Sequence, residues 1–109
     1  MKKTNVIKKY LEFKEILDLR RFKRNPLFTI YYRDNEYQKT RIGILITKKH
    51  GNAVRRNKIK RQVRSIIDSS IDYKIGKDLI IVISKNYDPN EYLKNKESLS
   101  QLLLLAIKR

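Results

Sequence analysis

Three stretches of this chain carry apolar residues at helical spacing, and three carry them in strand-like runs. Val6, Tyr10, Phe13 and Leu17 recur at i, i+4, i+7 and i+11, flanked by Ile7 and Ile16, which predicts a helix over residues 5–19. Arg20-Arg21-Phe22-Lys23-Arg24-Asn25-Pro26 ends it, because the residue before a proline is driven to extended or turn backbone. Leu27 to Arg33, rich in aromatic and β-branched residues, predicts a strand. Asp34-Asn35-Glu36 predicts a turn. Tyr37 to Thr47 predicts a second strand with Ile42, Ile44 and Ile46 on one face. The short connection predicts that these two strands pair as an antiparallel hairpin. Gly43, inside the second, marks a bulge or a close backbone approach. A second helix-spaced pattern fills residues 52–70. Asp78-Leu79-Ile80-Ile81-Val82-Ile83-Ser84 predicts a strand buried on both faces and therefore central. Asp88 as N-cap, Pro89 at N1 and Glu91 at N3 then start a helix to Ile107 that buries Leu99, Leu102, Leu103 and Ala106. The predicted order is α-β-β-α-β-α: one α+β domain over residues 1–109, with helices packed on a small sheet.

The segment 47–65 changes this picture from a fold to a function. It is dense in Lys and Arg and holds no Asp or Glu. Gly51 and Asn52 mark a turn, with Asn52 as N-cap. In the helix that follows, Ile59, Val63, Ile66 and Ile67 form one stripe at i, i+4, i+7 and i+8. Asn57, Lys60, Arg61 and Arg64 form a second stripe beside it. A helix that buries one side and displays cations and an amide on the other suits an anionic, extended partner. Solvated faces ordinarily mix charge signs, and this one does not.

The net charge of +16 extends the same reading to the whole chain, since a compact domain this basic repels itself unless a polyanion accepts the charge. Nucleic acid is the first candidate and an anionic membrane surface the second. The longest apolar runs, Leu79–Ile83 and Leu102–Ile107, are far too short to span a bilayer. Membrane docking is weakened further because the sheet needs the apolar side of the basic helix for its own core. No cysteine is present, in keeping with a reducing cytoplasm, and no apolar segment follows Met1-Lys2-Lys3 to make a secretory signal. Protein-borne catalysis is poorly supported. His50 is the sole histidine, no nucleophile elbow surrounds a serine, and the acidic residues are scattered without metal-ligand spacing. The expectation is no catalytic residue and no metal site in the protein.

Aromatic residues beside a basic surface can stack unpaired bases. Phe13 lies on the first predicted helix, and Phe28 and Tyr31 on the first strand. Strand alternation puts Phe28 and Tyr31 on opposite faces, so at most one faces an open platform. Tyr31 is the better candidate, because its hydroxyl tolerates a wet surface, and a core position is favoured for Phe28.

Thr47-Lys48-Lys49, then Gly51-Asn52-Ala53-Val54, then Arg56-Asn57-x-x-Lys60-Arg61-x-x-Arg64 closely resembles the signature of the bacterial ribonuclease P protein subunit. The likeness extends to Phe13, the Phe28–Tyr31 strand, Arg41-Ile42-Gly43 and the apolar strand Leu79–Ile83, and so covers nearly the whole chain. It implies an α+β sandwich like the second domain of ribosomal protein S5, with a left-handed β-α-β crossover at the basic helix. It implies a large catalytic RNA as partner, which removes the 5′ leader of precursor tRNA with Mg²⁺ and carries the chemistry. By the motif match, Lys48, Lys49, Asn52, Arg56, Asn57, Lys60, Arg61 and Arg64 would contact that RNA. Phe13, Leu17, Phe28 and Tyr31 would line a cleft for the single-stranded leader. The resemblance further implies a cytoplasmic location, no membrane partner and one protein per RNA, with self-association left open. This chain departs from the family at Leu17, where an aromatic is frequent, at Arg20, where a small turn residue is common, and at His50, where an aliphatic residue is common. A ribosomal-type structural RNA binder and a stand-alone basic nuclease are the rival readings.

Overall fold

A computed structural model describes residues 1–108. After a single 3₁₀ turn (Lys3–Asn5) come α1 (Tyr10–Asp18), β1 (Phe22–Arg24), β2 (Phe28–Asp34) and β3 (Arg41–Leu45). A second 3₁₀ turn (Lys48–His50) leads into α2 (Ala53–Ser70), followed by β4 (Lys77–Ile83) and α3 (Tyr92–Ile107). The four strands form one sheet in the order β1-β2-β4-β3. β4 is central, as its unbroken apolar run requires. It pairs antiparallel with β2 and parallel with β3, so α2 serves as the crossover between adjacent parallel strands.

This corrects the hairpin expected from β2 and β3. They flank β4 and do not pair with each other. The physical reason lies in the register, which aligns Arg33, Asp78 and Arg41 across the three strands. The fully buried Asp78 needs a cation from each side, and only a β4 inserted between β2 and β3 supplies both.

The two faces of the sheet are covered unequally. Phe28, Ile30, Ile42, Leu79, Ile81 and Ile83 face α2 and α3 and form the larger core with Ile59, Val63, Ile66, Ile67, Leu99, Leu102 and Leu103. On the other face Ile80 packs with Ile7 and Ile16 under the short α1. Three further boundaries differ from the expectation. The first helix starts at Tyr10 rather than residue 5, because Val6 bridges Ile42 in parallel and the Ile7 amide donates to the Ile42 carbonyl (2.9 Å), so this segment runs along the free edge of β3. Residues 20–26 are more than a turn. Arg20 takes a positive φ of 53° and the chain returns as β1. The last helix starts at Tyr92, not just after Asp88, since Asp88 spends its carboxylate on an Asx turn to the Asn90 amide and its carbonyl on the Glu91 amide and the Asn95 side chain. No helix among the described residues is long and apolar enough to cross a membrane.

Candidate nucleic-acid interface

α2 is fixed at its start and along one side. The Asn52 side-chain oxygen accepts from the Arg55 amide at 3.0 Å, as an N-cap should. Ile59, Val63, Ile66 and Ile67 are wholly buried. The neighbouring stripe therefore stands on a rigid base, with Asn57, Arg61 and Arg64 exposed and Arg56 and Lys60 half-buried. Among the described residues, no Lys or Arg between Lys48 and Arg64 forms an ion pair; the paired cations lie elsewhere. Arg56 also keeps its Nε buried without a hydrogen-bond acceptor. A buried charged donor with no partner is costly, and an acceptor reaches this nitrogen only if the side chain moves.

The turn ahead of α2 is fixed as well. His50 is buried, and its Nε2 donates to the Ser84 carbonyl at the end of β4 (2.7 Å). Its Nδ1 lies 3.3 Å from the Thr47 carbonyl. His50 is thus a strut, and it holds the exposed Lys48 and Lys49 at the end of the sheet. Gly51 follows at φ 111°, where a side chain would be strained and its Cβ would lie 2.9 Å from Arg55 Cδ.

A groove runs beside α1 on the thinly covered face. Tyr10, Phe13, Lys14, Leu17, Asp18 and Leu45 line a space of about 410 Å³. The register continues its floor across the sheet as Leu45, Val82, Thr29 and Arg24, a row that α1 leaves open. Phe13 sits over Gly43. A Cβ there would fall 2.6 Å from the Phe13 ring, so the glycine is a close approach and not a bulge. Phe13 also lines a second pocket, with Gly43, Ile44, Lys60 and Arg64. The groove and the cationic stripe therefore meet at the outer edge of β3.

The far wall is tied down by charge. Asp78, fully buried, accepts from Arg41 Nε (2.8 Å) and Nη2 (2.9 Å), Arg33 Nε (2.9 Å) and Asn35 Nδ2 (2.7 Å). Arg41 reaches on to Glu12 (2.7 Å) and Arg33 to Glu15 (3.1 Å), both on α1. Burial alone would raise the Asp78 carboxyl, but the hydrogen bonds from Arg41, Asn35 and Arg33 outweigh it and hold the group below the usual carboxylate range.

The sequence-derived candidates therefore fall into two adjoining sets. Lys48, Lys49, Asn52, Arg56, Asn57, Lys60, Arg61 and Arg64 share one surface, although the Asn52 side-chain oxygen is already used as a cap. Phe13, Leu17 and Tyr31 are half-buried on the groove side. Phe28 is corrected: it is fully buried on the opposite face, edge-on to Tyr87 at 5.7 Å, and cannot line the groove. Sequence reasoning missed Leu45, Val82 and Thr29, whose place in the floor depends on strand register, and the Asp78 network. A lone Asp opening an otherwise apolar strand was the available signal for the latter.

Comparison with known proteins places these features in a family. A family model described as Ribonuclease P matches residues 1–106. The ribonuclease P protein component of Mycoplasma capricolum is 43% identical over 99% of this chain and 97% of its own length. That of Bacillus mycoides is 42% identical over 91% of this chain and 88% of its own length. Among solved structures, a Staphylococcus aureus RNase P protein mutant with defective mRNA degradation activity superposes with a TM-score of 0.83 at 32% identity, covering 95% of this chain and 89% of that one. The Thermotoga maritima RNase P protein gives a TM-score of 0.71 at 28% identity, covering 94% of each.

Proposed function

Because the chain belongs to the ribonuclease P protein family and is thus the protein component of an endoribonuclease, we propose that it binds the catalytic RNA through α2 and the Lys48–Lys49 turn and holds the 5′ leader of precursor tRNA in the groove beside α1. The observation that carries this reading is the junction at Phe13. There an apolar groove, suited to unpaired bases, opens directly onto Lys60 and Arg64 of a cationic stripe without carboxylates. Two polyanions can approach each other at that junction because the stripe offsets their repulsion. Arg56, half-buried at the margin of the stripe, offers a guanidinium fork to a phosphate oxygen. Asn57 adds a donor and an acceptor for a sugar or base edge.

In this reading the RNA performs the chemistry. Among the described residues no three His, Cys, Asp or Glu side chains gather as a metal site. In this reading the Mg²⁺ would be held mainly by the RNA partner. His50 Nε2 is committed to the Ser84 carbonyl, which supports a structural role for this residue. The protein contributes positioning of the scissile region and electrostatic support for the assembly. One protein acts per RNA, in the cytoplasm where tRNA precursors are processed. Binding should weaken steeply with salt, by about 10³–10⁵ between ~50 and ~200 mM for some six to ten neutralised phosphates.

The test is reconstitution with the catalytic RNA of the same organism and a precursor tRNA at low Mg²⁺. The expected result is faster 5′ cleavage than RNA alone gives. No gain would refute the subunit role, and cleavage by protein alone would replace it with a nuclease reading.

A further inference from the structure

The segment between α1 and β2 holds a cluster that the assembly just described leaves idle. Arg20, Arg21, Lys23 and Arg24 surround Phe22 without an intervening acid, and all four are exposed. Among the described residues none of them is ion-paired. Phe22 itself is 42% exposed, an unusual position for a phenyl ring on a three-residue edge strand.

Its neighbours supply the reason. The register sets Phe22 opposite Tyr31, and the two rings lie 5.3 Å apart at 45°. The Arg24 guanidinium carbon lies 6.0 Å from the centre of the Phe22 ring. Phe22 and Tyr31 thus form a two-ring shelf at the β1 end of the groove floor, with a cation beside it for a phosphate. Three strand spacings separate β3 from β1, about 14 Å, a distance that an extended unpaired strand crosses in a few nucleotides.

We propose that Phe22 is a further stacking site for the leader, taking an unpaired base several positions upstream of those held near Phe13, with Arg24 on its phosphate. This rests on the groove holding the leader at all. The direction follows from the junction with α2 at β3: the strand enters beside the catalytic RNA and leaves over β1.

The test measures holoenzyme affinity for precursor tRNAs whose leaders have about two or about eight nucleotides, the shorter ending before β1 is reached. Phe22→Ala should weaken binding of the long-leader precursor at least about fivefold, the loss expected for one base stacked on one ring. It should leave the short-leader precursor and mature tRNA unchanged. Phe22→Tyr should restore affinity, whereas Phe22→Leu, which keeps apolar area without a stacking face, should not. Equal losses on both precursors, or rescue by leucine, would show a structural or merely apolar role and overturn the proposal. So would an unchanged long-leader affinity. If wild-type holoenzyme itself fails to distinguish leader-bearing from mature tRNA, the groove reading falls, and Phe22 with it. Leader dependence in the wild type together with an unaffected Phe22→Ala variant overturns the Phe22 site alone.

Discussion

Replacing Asp78 by asparagine tests how the groove is held open. The substitution keeps the side-chain volume but turns one oxygen into a donor. At best one oxygen continues to accept, while the new amide N–H groups face guanidinium N–H groups. Two of the four hydrogen bonds to Asp78 are then lost in a fully buried site. Bonds to charged groups contribute about 1.5–3 kcal/mol each, which bounds the loss at roughly 3–6 kcal/mol. Arg41 and Arg33 keep Glu12 and Glu15, which moderates it. The expected cost is about 3–4 kcal/mol, in line with breaking a buried ion pair, and large against a total stability of roughly 5–15 kcal/mol. Thermal unfolding should show Tm lower by about 10–15 °C. The pH dependence supplies an independent check. The Asp78 carboxyl is depressed in the folded state, so its contribution is complete above the unfolded value of ~3.9 and fades as pH falls through the lower folded value. Wild type should lose stability over that acid range, and the asparagine variant should lose less. A loss under about 1 kcal/mol at neutral pH, or identical acid profiles, would refute the claim that this network fastens α1 to the sheet.

Other substitutions separate the surfaces. Gly43→Ala places a methyl 2.6 Å from the Phe13 ring; it should cost about 1–3 kcal/mol in urea unfolding and weaken leader binding together, and a variant with native stability would mean the ring moves aside freely. Arg61→Ala should weaken assembly with the catalytic RNA and lower the salt slope of binding by about one, read from filter binding across a salt series; an unchanged slope would remove Arg61 from phosphate contact. Tyr31→Ala should cost about 1–3 kcal/mol in affinity for leader-bearing precursor and nothing for mature tRNA, so an affinity for leader-bearing precursor equal to that of wild type would exclude it from the groove. His50→Ala should speed amide exchange at Gly51 and cost about 1–3 kcal/mol, and unchanged exchange would show that the turn holds without its strut.

What was legible in the sequence was whatever depends on neighbours a few residues away. The α2 boundary followed from Asn52 and the spacing of Ile59, Val63, Ile66 and Ile67, because capping and helical periodicity are local. The centrality of β4 followed from an apolar run that tolerates water on neither face. The pairing of β2 and β3 was misread because a short connection is only a local prior, and the deciding contact joins Asp78 to arginines 45 and 37 residues away in sequence. The same limit applies to the groove. Phe13 and Tyr31 are recognisable as aromatic candidates, but Val82 and Thr29 enter the floor only once β4 is known to lie between its neighbours. Phe22 escaped notice for a related reason. A three-residue strand after a positive-φ Arg20 looks in sequence like the tail of a turn.

The register also decides where the charges point. Glu12, Glu15, Asp34 and Asp78 meet Arg33, Arg41 and Lys77 at one end of the sheet. The Lys48–Lys49 turn, Ser84 and the open floor from Leu45 to Arg24 lie toward the other end. Along β3 the step from Arg41 to Leu45 spans four residues, about 13 Å at ~3.3 Å each, which exceeds a Debye length of ~8 Å in physiological salt. A phosphate at Leu45 would therefore see little of the carboxylates at Arg41, while Lys48, Lys49, Lys60 and Arg64 remain near it. Glu12, Glu15, Asp34 and Asp78 are thus gathered where they fasten α1 to the sheet, and of the groove-lining residues beside Leu45 only Asp18 is acidic. Moving β4 by one residue would turn Asp78 to the apolar face and expel Leu79 from the larger core, so one alignment sets the stability of the groove wall and the sign of the potential over its floor.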